Sequence, residues 1–232
     1  MLLVLVIMMF PINVFAQKTI YVERKYKDAA YEMMESKDYE GLNRWIYEVS
    51  EIYPKDPDLE SLRNQLKVIE PFFNDLEFEY DAIENRTLIY YKGLKEINSS
   101  TNAYSEISLD HELISPNLFT YYGLIIPEWI FFRGVVLKLD DLDSYTPELR
   151  TSNKDEVVIS GNELYEATLL GNEGNIFIED EYKEVNEVPS TGIIRFKGQS
   201  DVDIELSADE ISSMFALAKY NEYFTELNRF VK

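Results

Sequence analysis

The stretch EWIFFRGVVLKLDDLDSY, residues 128–145, runs from large apolar side chains into three aspartates. Within it, Trp129, Phe131, Val135 and Leu137 lie at odd-numbered positions, on what would be one face of a strand. Period-two spacing of aromatic and β-branched residues is typical of a strand with one buried face. The stretch therefore predicts a core strand over residues 129–139, and the aspartates mark where that strand leaves the core.

Similar runs fill the chain between Pro71 and Leu206. They cover residues 87–91, 119–126, 129–139, 156–159, 163–170, 175–178, 192–197 and 201–206. Clusters of Gly, Asn, Asp, Ser and Pro separate the runs, which is typical of an antiparallel sandwich or a strongly bent sheet. In the run 192–197, Ile194 and Phe196 alternate with Arg195 and Lys197, as expected for a strand with one solvated face.

A helical pattern precedes this region. Apolar residues recur every three to four positions between Tyr21 and Phe73, which is the spacing of one helix face. The expected buried faces are Ala29, Met33 and Met34 in a first helix, Leu42, Ile46, Val49 and Ile52 in a second, and Leu59, Leu62, Leu66 and Ile69 in a third. Asp56 followed by Pro57 predicts the start of the third helix.

A second helical pattern closes the chain. Ser207 is a good N-cap, with Glu210 at the capping-box spacing, before an apolar stripe that reaches Phe230.

The sequence thus predicts an α+β fold in two parts. An N-terminal helical hairpin or three-helix unit spans residues 17–73, and an antiparallel β-sandwich-like domain with a C-terminal helix spans residues 74–232.

The first part resembles a single tetratricopeptide-type helical hairpin. The likeness rests on Asp38-Tyr39 at the turn, Leu42, Ile46 and Val49 along the second helix, and Pro54 after it. It covers one repeat of about 34 residues, and repeat arrays need stacked copies to bury their faces. The resemblance implies a protein-binding or packing role, whereas a generic helical hairpin packed on the next domain is the alternative.

The second part resembles a β-sandwich module that recurs in uncharacterised exported bacterial and phage-associated proteins. The likeness covers roughly residues 119–223. It rests on Trp129, Phe131, Val135, Leu137, Lys138, Asp140 and Tyr145, then on IIRFKG at 193–198 with Leu206 and Glu210 before a closing helix. The resemblance implies the sandwich fold and no particular activity.

The net charge limits the partners that we expect for this protein, and the N-terminal segment indicates its location. The chain carries 22 Lys and Arg against 43 Asp and Glu, a formal charge of -21, so nucleic acid is excluded as a partner by repulsion. Residues 1–16 resemble a signal peptide, with Val14 and Ala16 at the cleavage spacing. We expect a periplasmic or extracellular protein without a permanent membrane span, since the ten residues before Pro11 are too few to cross a bilayer.

One acidic segment offers ligands to a metal ion. Asp140, Asp141 and Asp143 present carboxylates of the kind that bind Ca²⁺. The helix-loop-helix calcium spacing is absent, because Thr146 stands where that loop requires glycine. A solvated turn at the end of a core strand is the alternative interpretation, and no other cofactor is indicated. The chain has no Cys and one His, which excludes the usual zinc and copper sites.

Catalytic patterns are incomplete. His111, the only histidine, lies near Ser108 and Ser115 in sequence, but no nucleophile-elbow motif accompanies it. The acidic residues Glu179 to Glu184 could supply the paired carboxylates of a glycoside hydrolase, although no spacing forces two of them together. We therefore name no catalytic residues, and an extracellular hydrolase acting on polysaccharide is the alternative function.

Aromatic residues are abundant, with 17 Tyr and 13 Phe. Two tyrosine pairs near loop ends, Tyr90-Tyr91 and Tyr121-Tyr122, are candidates for binding a partner, because tyrosine gives large contact area at small entropic cost. The alternative is that these rings belong to the core. The sequence predicts an exported, non-enzymatic binding or scaffolding protein of the cell envelope, whose partner is a protein or an envelope glycan.

Overall fold

The computed structural model describes residues 21–96, 100–111, 115–126, 134–140, 158–160, 163–170 and 187–232. Within these residues the chain is α+β, as the sequence predicts: helices lie in the N-terminal part, two antiparallel sheets follow, and one helix closes the chain.

Three helices form the N-terminal part: α1 (Arg24–Ser36), α2 (Tyr39–Ile52) and α3 (Pro57–Ile69). A 3₁₀ turn, Glu70–Asp75, then leads into the first strand. Aspartates cap two of the helices. The Asp38 side chain accepts the Gly41 amide at 2.9 Å. The Asp56 side chain accepts the amides of Asp58 and Leu59, and Pro57 follows it at the first helical position, as predicted.

Most of the residues that were predicted to form the buried faces of these helices are buried. Leu42, Ile46 and Val49 of α2 are buried, and so are all four predicted residues of α3. Three positions differ from the prediction. Ile52 is exposed, because Tyr53, four residues after Val49, takes the buried position at the end of α2. In α1, Ala30 and Met34 are buried, whereas the predicted Ala29 and Met33 are only partly buried.

The larger sheet has six antiparallel strands in the order β1-β2-β3-β4-β7-β6. Their bounds are β1 (Leu76–Asp81), β2 (Arg86–Tyr91), β3 (Ala103–Asp110), β4 (Ser115–Ile126), β6 (Val158–Ser160) and β7 (Glu163–Leu170). The smaller sheet has the order β5-β8-β9, with β5 (Gly134–Leu139), β8 (Gly192–Lys197) and β9 (Val202–Glu205).

The predicted runs locate most of these strands. The runs 163–170 and 192–197 coincide with β7 and β8, and β8 alternates buried and exposed residues as predicted. Strands β1 and β3 were not predicted. The run 175–178 and the first residues of the run 129–139 lie outside the described residues.

The closing helix α4 (Ala208–Val231) is buried around most of its circumference. One side of α4 packs on β2, β3 and β4, and another packs on α1 and α3. A helix enclosed in this way must be apolar on several faces, which is why its apolar residues exceed a single stripe. One apolar cluster therefore extends from Leu66 of α3 through Phe224 of α4 to Ile107 of β3, across the predicted boundary at residues 73 and 74.

The smaller sheet meets the start of α4 at Gly192. A Cβ atom at this position would lie 2.7 Å from the Leu139 side chain and 2.9 Å from that of Leu206. A side chain at this position would therefore force these two leucines to move. Among the described helices, none combines the length and apolar character that a membrane span requires.

Candidate functional site: the edge of the larger sheet

Strand β1 forms an edge of the larger sheet, and its two faces differ in chemistry. Its register with β2 pairs Phe78 with Ile89 and Glu79 with Leu88. Because side chains alternate across a strand, Phe78 and Tyr80 lie on the face that carries α4, whereas Glu77, Glu79 and Asp81 lie on the opposite face. The edge strand is thus aromatic on one face and acidic on the other.

The backbone of β1 alternates in the same way. The Lys92 amide donates to the Asp75 carbonyl at 2.8 Å, which makes these two residues a hydrogen-bonded pair at the end of the ladder. In an antiparallel ladder such pairs recur at every second residue, so residues 77, 79 and 81 direct their amides and carbonyls to β2. Leu76, Phe78 and Tyr80 direct theirs away from it. In the part of the chain that the structure describes, no strand pairs with β1 on that side.

Apolar side chains are exposed beside this edge. Phe78 exposes 40% of its surface, Tyr80 43%, and Ile83, in the turn between β1 and β2, 95%. These are three of the six large hydrophobic residues that are exposed in the described part of the chain. We call Phe78, Tyr80 and Ile83, together with the outward amides and carbonyls of β1, the β1 edge surface. Contiguous exposed apolar residues at one place are a mark of an interaction site.

Neighbouring residues hold these aromatic rings in place. The Phe78 ring stacks on Tyr39 at 5.0 Å between centroids and meets Tyr220 edge-on at 6.1 Å. The Lys37 ammonium lies 3.4 Å from the centroid of the Tyr80 ring. The Tyr80 hydroxyl donates to the Asn85 side chain at 3.0 Å. Because the rings are fixed before a partner arrives, binding loses little side-chain entropy.

The turn beyond Tyr80 is also ordered by hydrogen bonds. The Asp81 carboxylate accepts the amides of Ile83 and Glu84 at 2.9 and 3.2 Å, and Asn85 adopts a left-handed conformation with φ of 48°. Aspartate and asparagine favour this kind of turn through their short polar side chains. The turn presents Ile83 to solvent.

His111 lies beneath the β1 edge surface. Its ring packs edge-on against Tyr80 at 5.7 Å, and its Nε2 is 2.7 Å from the Thr87 hydroxyl oxygen. The Tyr39 hydroxyl donates to the same oxygen at 3.1 Å. Burial lowers the pKa of His111, the charge of Lys37 lowers it further, and the charge of Asp110 opposes both. The His111 ring therefore has a hydrogen-bond partner in the buried Thr87 hydroxyl, and the lowered pKa favours the neutral form of the ring.

Two cationic side chains offset part of the negative charge on the acidic face of β1. Lys95 pairs with Glu79, and Arg86 lies 3.9 Å from Asp81. The hydrogen bond from Lys95 and its charge lower the pKa of Glu79. Glu77 is exposed at the start of the strand. Carboxylates therefore remain at the solvent boundary of this face, beside the outward backbone groups.

The four predicted partner-binding tyrosines divide between the two faces of the larger sheet. The register places Tyr91 and Tyr122 on the face toward α4, and Tyr90 and Tyr121 on the acidic face. Tyr122 exposes 2% of its surface and Tyr90 is also buried. A partner-binding role requires an accessible ring, and neither of these two rings is accessible. Tyr91 and Tyr121 are partly buried, and a binding role for them stays a prediction.

The rings on the acidic face pack together. Tyr121 stacks on Tyr104, with centroids 4.5 Å apart and planes 9° apart. Burial, and then the nearby carboxyl of Glu106, raise the pKa of Tyr121 to about 12. Burial also raises the pKa of Glu106. The Tyr90 hydroxyl donates to Glu79 at 3.2 Å, so this cluster adjoins the acidic side of β1.

The predicted calcium ligand Asp140 is engaged by the protein itself. Its carboxylate accepts the amides and hydroxyls of Ser190 and Thr191 at 2.7 to 3.0 Å. The amide of Ser190, followed by the groups of Thr191, lowers the pKa of Asp140. These bonds tie the end of β5 to the start of β8. Asp141 and Asp143 lie outside the described residues, and among the described ones no three His, Cys, Asp or Glu side chains converge on a metal position.

Sequence reasoning missed the β1 edge surface. The segment LEFEYD, residues 76–81, alternates apolar and acidic residues, and the following DAIEN is turn-like. This pattern could have predicted a hairpin. Only the strand order reveals that the hairpin lies at an edge. The acidic residues 179–184, on which the hydrolase alternative depends, lie outside the described residues.

Comparison with protein-family models, with curated proteins and with solved structures finds no match for this chain.

Proposed function

We propose that this chain is a non-enzymatic binding protein that engages its partner at the β1 edge surface. The observation that carries the proposal is the grouping of three exposed residues, Phe78, Tyr80 and Ile83, of which the two rings are held by neighbours. They lie beside backbone groups of β1 that no described strand pairs. Exposed apolar groups that cost little entropy to dock are the usual anchors of protein interfaces.

The cellular setting is part of the same proposal. The signal-like residues 1–16 support an exported protein of the cell envelope. The likeness to an exported β-sandwich module supports export, and the likeness to a tetratricopeptide hairpin supports a protein-binding role. A protein partner is favoured over an envelope glycan at this surface, because a polypeptide can use the outward amides and carbonyls of β1.

A crosslinking experiment tests the proposed function. A photoreactive phenylalanine analogue is placed at position 83 in the full chain, and in a matched variant at position 52. Ile52 is also an exposed isoleucine but lies at the end of α2. We expect illumination in envelopes of the source cells to give one reproducible protein adduct from position 83 and not from position 52.

Two outcomes would overturn this proposal. Equal adducts from both positions would mean that crosslinking reports exposure alone, and no adduct from position 83 would mean that the β1 edge surface does not meet a partner. Adducts to glycan from position 83 would replace the protein partner with a carbohydrate one.

A further inference from the structure

From the two-sided chemistry of β1 we infer that the β1 edge surface binds an extended segment of another protein as an added antiparallel or parallel strand, in which apolar residues alternate with Lys or Arg. This inference rests on the proposed function and specifies its partner. It follows from three properties of β1: outward backbone groups that no described strand pairs, an aromatic face and an acidic face.

The backbone supplies the first step. Leu76, Phe78 and Tyr80 each direct one amide and one carbonyl away from β2, so three residues are available to pair with a new strand. A segment of about six residues would span this length at the usual rise and would lie about 4.8 Å from β1. Main-chain hydrogen bonds give such strand addition its affinity, and alternate side chains give it specificity.

The side chains supply the second step. A strand beside β1 places every second residue next to Phe78 and Tyr80, where apolar groups extend the exposed aromatic surface toward Ile83. The remaining residues lie next to Glu77, Glu79 and Asp81. Lys95 and Arg86 offset part of this charge, but the chain as a whole carries a formal charge of -21. Cationic side chains are therefore favoured on this face and anionic ones are repelled.

A second copy of the chain fits this surface poorly. Two β1 strands that paired about a two-fold axis perpendicular to the sheet would keep the same faces together. Glu77, Glu79 and Asp81 of one copy would then lie beside the same three carboxylates of the other. Like charges directly opposite each other destabilise a strand pair, so the preferred occupant is a different, basic segment.

The probes are fluorescent nine-residue peptides in which Lys or Arg alternates with Val, Ile, Phe or Tyr. Two control sets keep the length, one with the same composition in separate basic and apolar blocks, the other with Glu in place of the basic residues. Binding to the full chain is measured by fluorescence anisotropy. We expect saturable binding of alternating basic peptides and none of the two control sets.

Two variants separate the backbone contribution from the ring. Phe78→Ala removes the ring and keeps the outward amide, whereas Phe78→Pro removes both. Proline is accepted at edge positions whose amide points away from the ladder, so the β1–β2 pairing should persist, and the melting temperature of each variant checks this. We expect the dissociation constant of the best alternating peptide to rise about tenfold further in Phe78→Pro than in Phe78→Ala.

A charge exchange tests the acidic face. Glu77→Lys should weaken the basic peptides about tenfold, because an attraction becomes a repulsion, and should allow the Glu-containing set to bind. If block and alternating peptides bound equally well, the binding would reflect general charge attraction, and the inference would be wrong. Equal affinities of Phe78→Pro and Phe78→Ala, or dimers of the free chain that Phe78→Pro abolishes, would overturn it as well.

The two proposals fail separately. If position 83 gives a specific protein adduct while no peptide of the alternating set binds, the surface is a binding site but strand addition is wrong. If position 83 gives no adduct, the proposed function itself is wrong, whatever the peptides do.

Discussion

His111 shows how one residue connects three segments of the molecule. Its ring packs on Tyr80 of β1, its Nε2 faces Thr87 of β2, and the ammonium of Lys37 between α1 and α2 disfavours its charged form. The Tyr39 hydroxyl completes this arrangement by donating to Thr87. Nε2 of a neutral ring can pair with the Thr87 hydroxyl, and the lowered pKa favours that neutral form.

This arrangement predicts that stability falls with acidification. The folded pKa of His111 is lowered, so the unfolded chain binds the proton first, near the ordinary histidine pKa of about 6.5. The stabilisation is therefore complete above that pH and is lost as the pH falls through the folded pKa. His111→Gln keeps an acceptor for Thr87 and cannot titrate. The test compares pH 7.5 with pH 5, which lie about one unit or more on either side of the ordinary histidine pKa. Between these two pH values we expect the urea midpoint of the wild type to fall more than that of His111→Gln.

The comparison with the variant isolates His111 from other titrating groups. Glu106, whose pKa is raised, contributes pH dependence to both proteins alike. Parallel midpoint curves for the wild type and His111→Gln would contradict the assignment of a neutral, partly buried histidine.

At the scale of elements, Glu210 joins the start of α4 to the start of β3. Its carboxylate accepts the Ser207 amide and hydroxyl at 2.7 Å each, which completes the predicted capping box. It also accepts the amides of Asn102 and Ala103 at 2.6 and 2.9 Å. The capping half of this role was predicted from the Ser207 to Glu210 spacing. The contact with β3 was not, because it links residues more than a hundred positions apart.

Glu210→Ala should be much more damaging than loss of an ordinary capping residue. The substitution leaves the buried amides of Asn102 and Ala103 without this acceptor, and it also breaks the capping box. We expect it to lower the free energy of unfolding by about 3 kcal/mol. Asp209→Ala is the matched control, since Asp209 is exposed in the same first turn, and should cost about 0.5 kcal/mol. Guanidinium denaturation measures both, and similar losses in the two variants would contradict the joining role.

At the scale of the whole molecule, α4 is the shared core element. It lies between the helical layer α1 to α3 and strands β2 to β4, and one apolar cluster runs through all of them. Neither layer can separate from α4 without exposing buried apolar surface. The helical layer and the larger sheet should therefore unfold together.

A pair of core substitutions tests this cooperativity. Leu66→Ala in α3 and Ile107→Ala in β3 both truncate fully buried side chains, and each should cost about 2 to 5 kcal/mol. We expect each variant to shift a single transition, with far-ultraviolet circular dichroism for the helices and infrared amide I absorption for the sheet giving the same midpoint. A Leu66→Ala variant whose helices melt before its sheet would show instead that the N-terminal part is a separate unit.

Local sequence patterns were enough to predict the α+β class, the N-cap of α4 at Ser207 and the strands β7 and β8. They were enough because capping and the two hydrophobic periods act between residues a few positions apart. Three features became known only from the folded chain: which tyrosine of each pair is buried, that β1 is an edge strand, and that Lys37, Tyr80 and His111 meet. Strand order and register are set by packing between distant segments, and a shift of one residue exchanges the faces of a strand. For that reason the β1 edge surface became visible only in the folded chain.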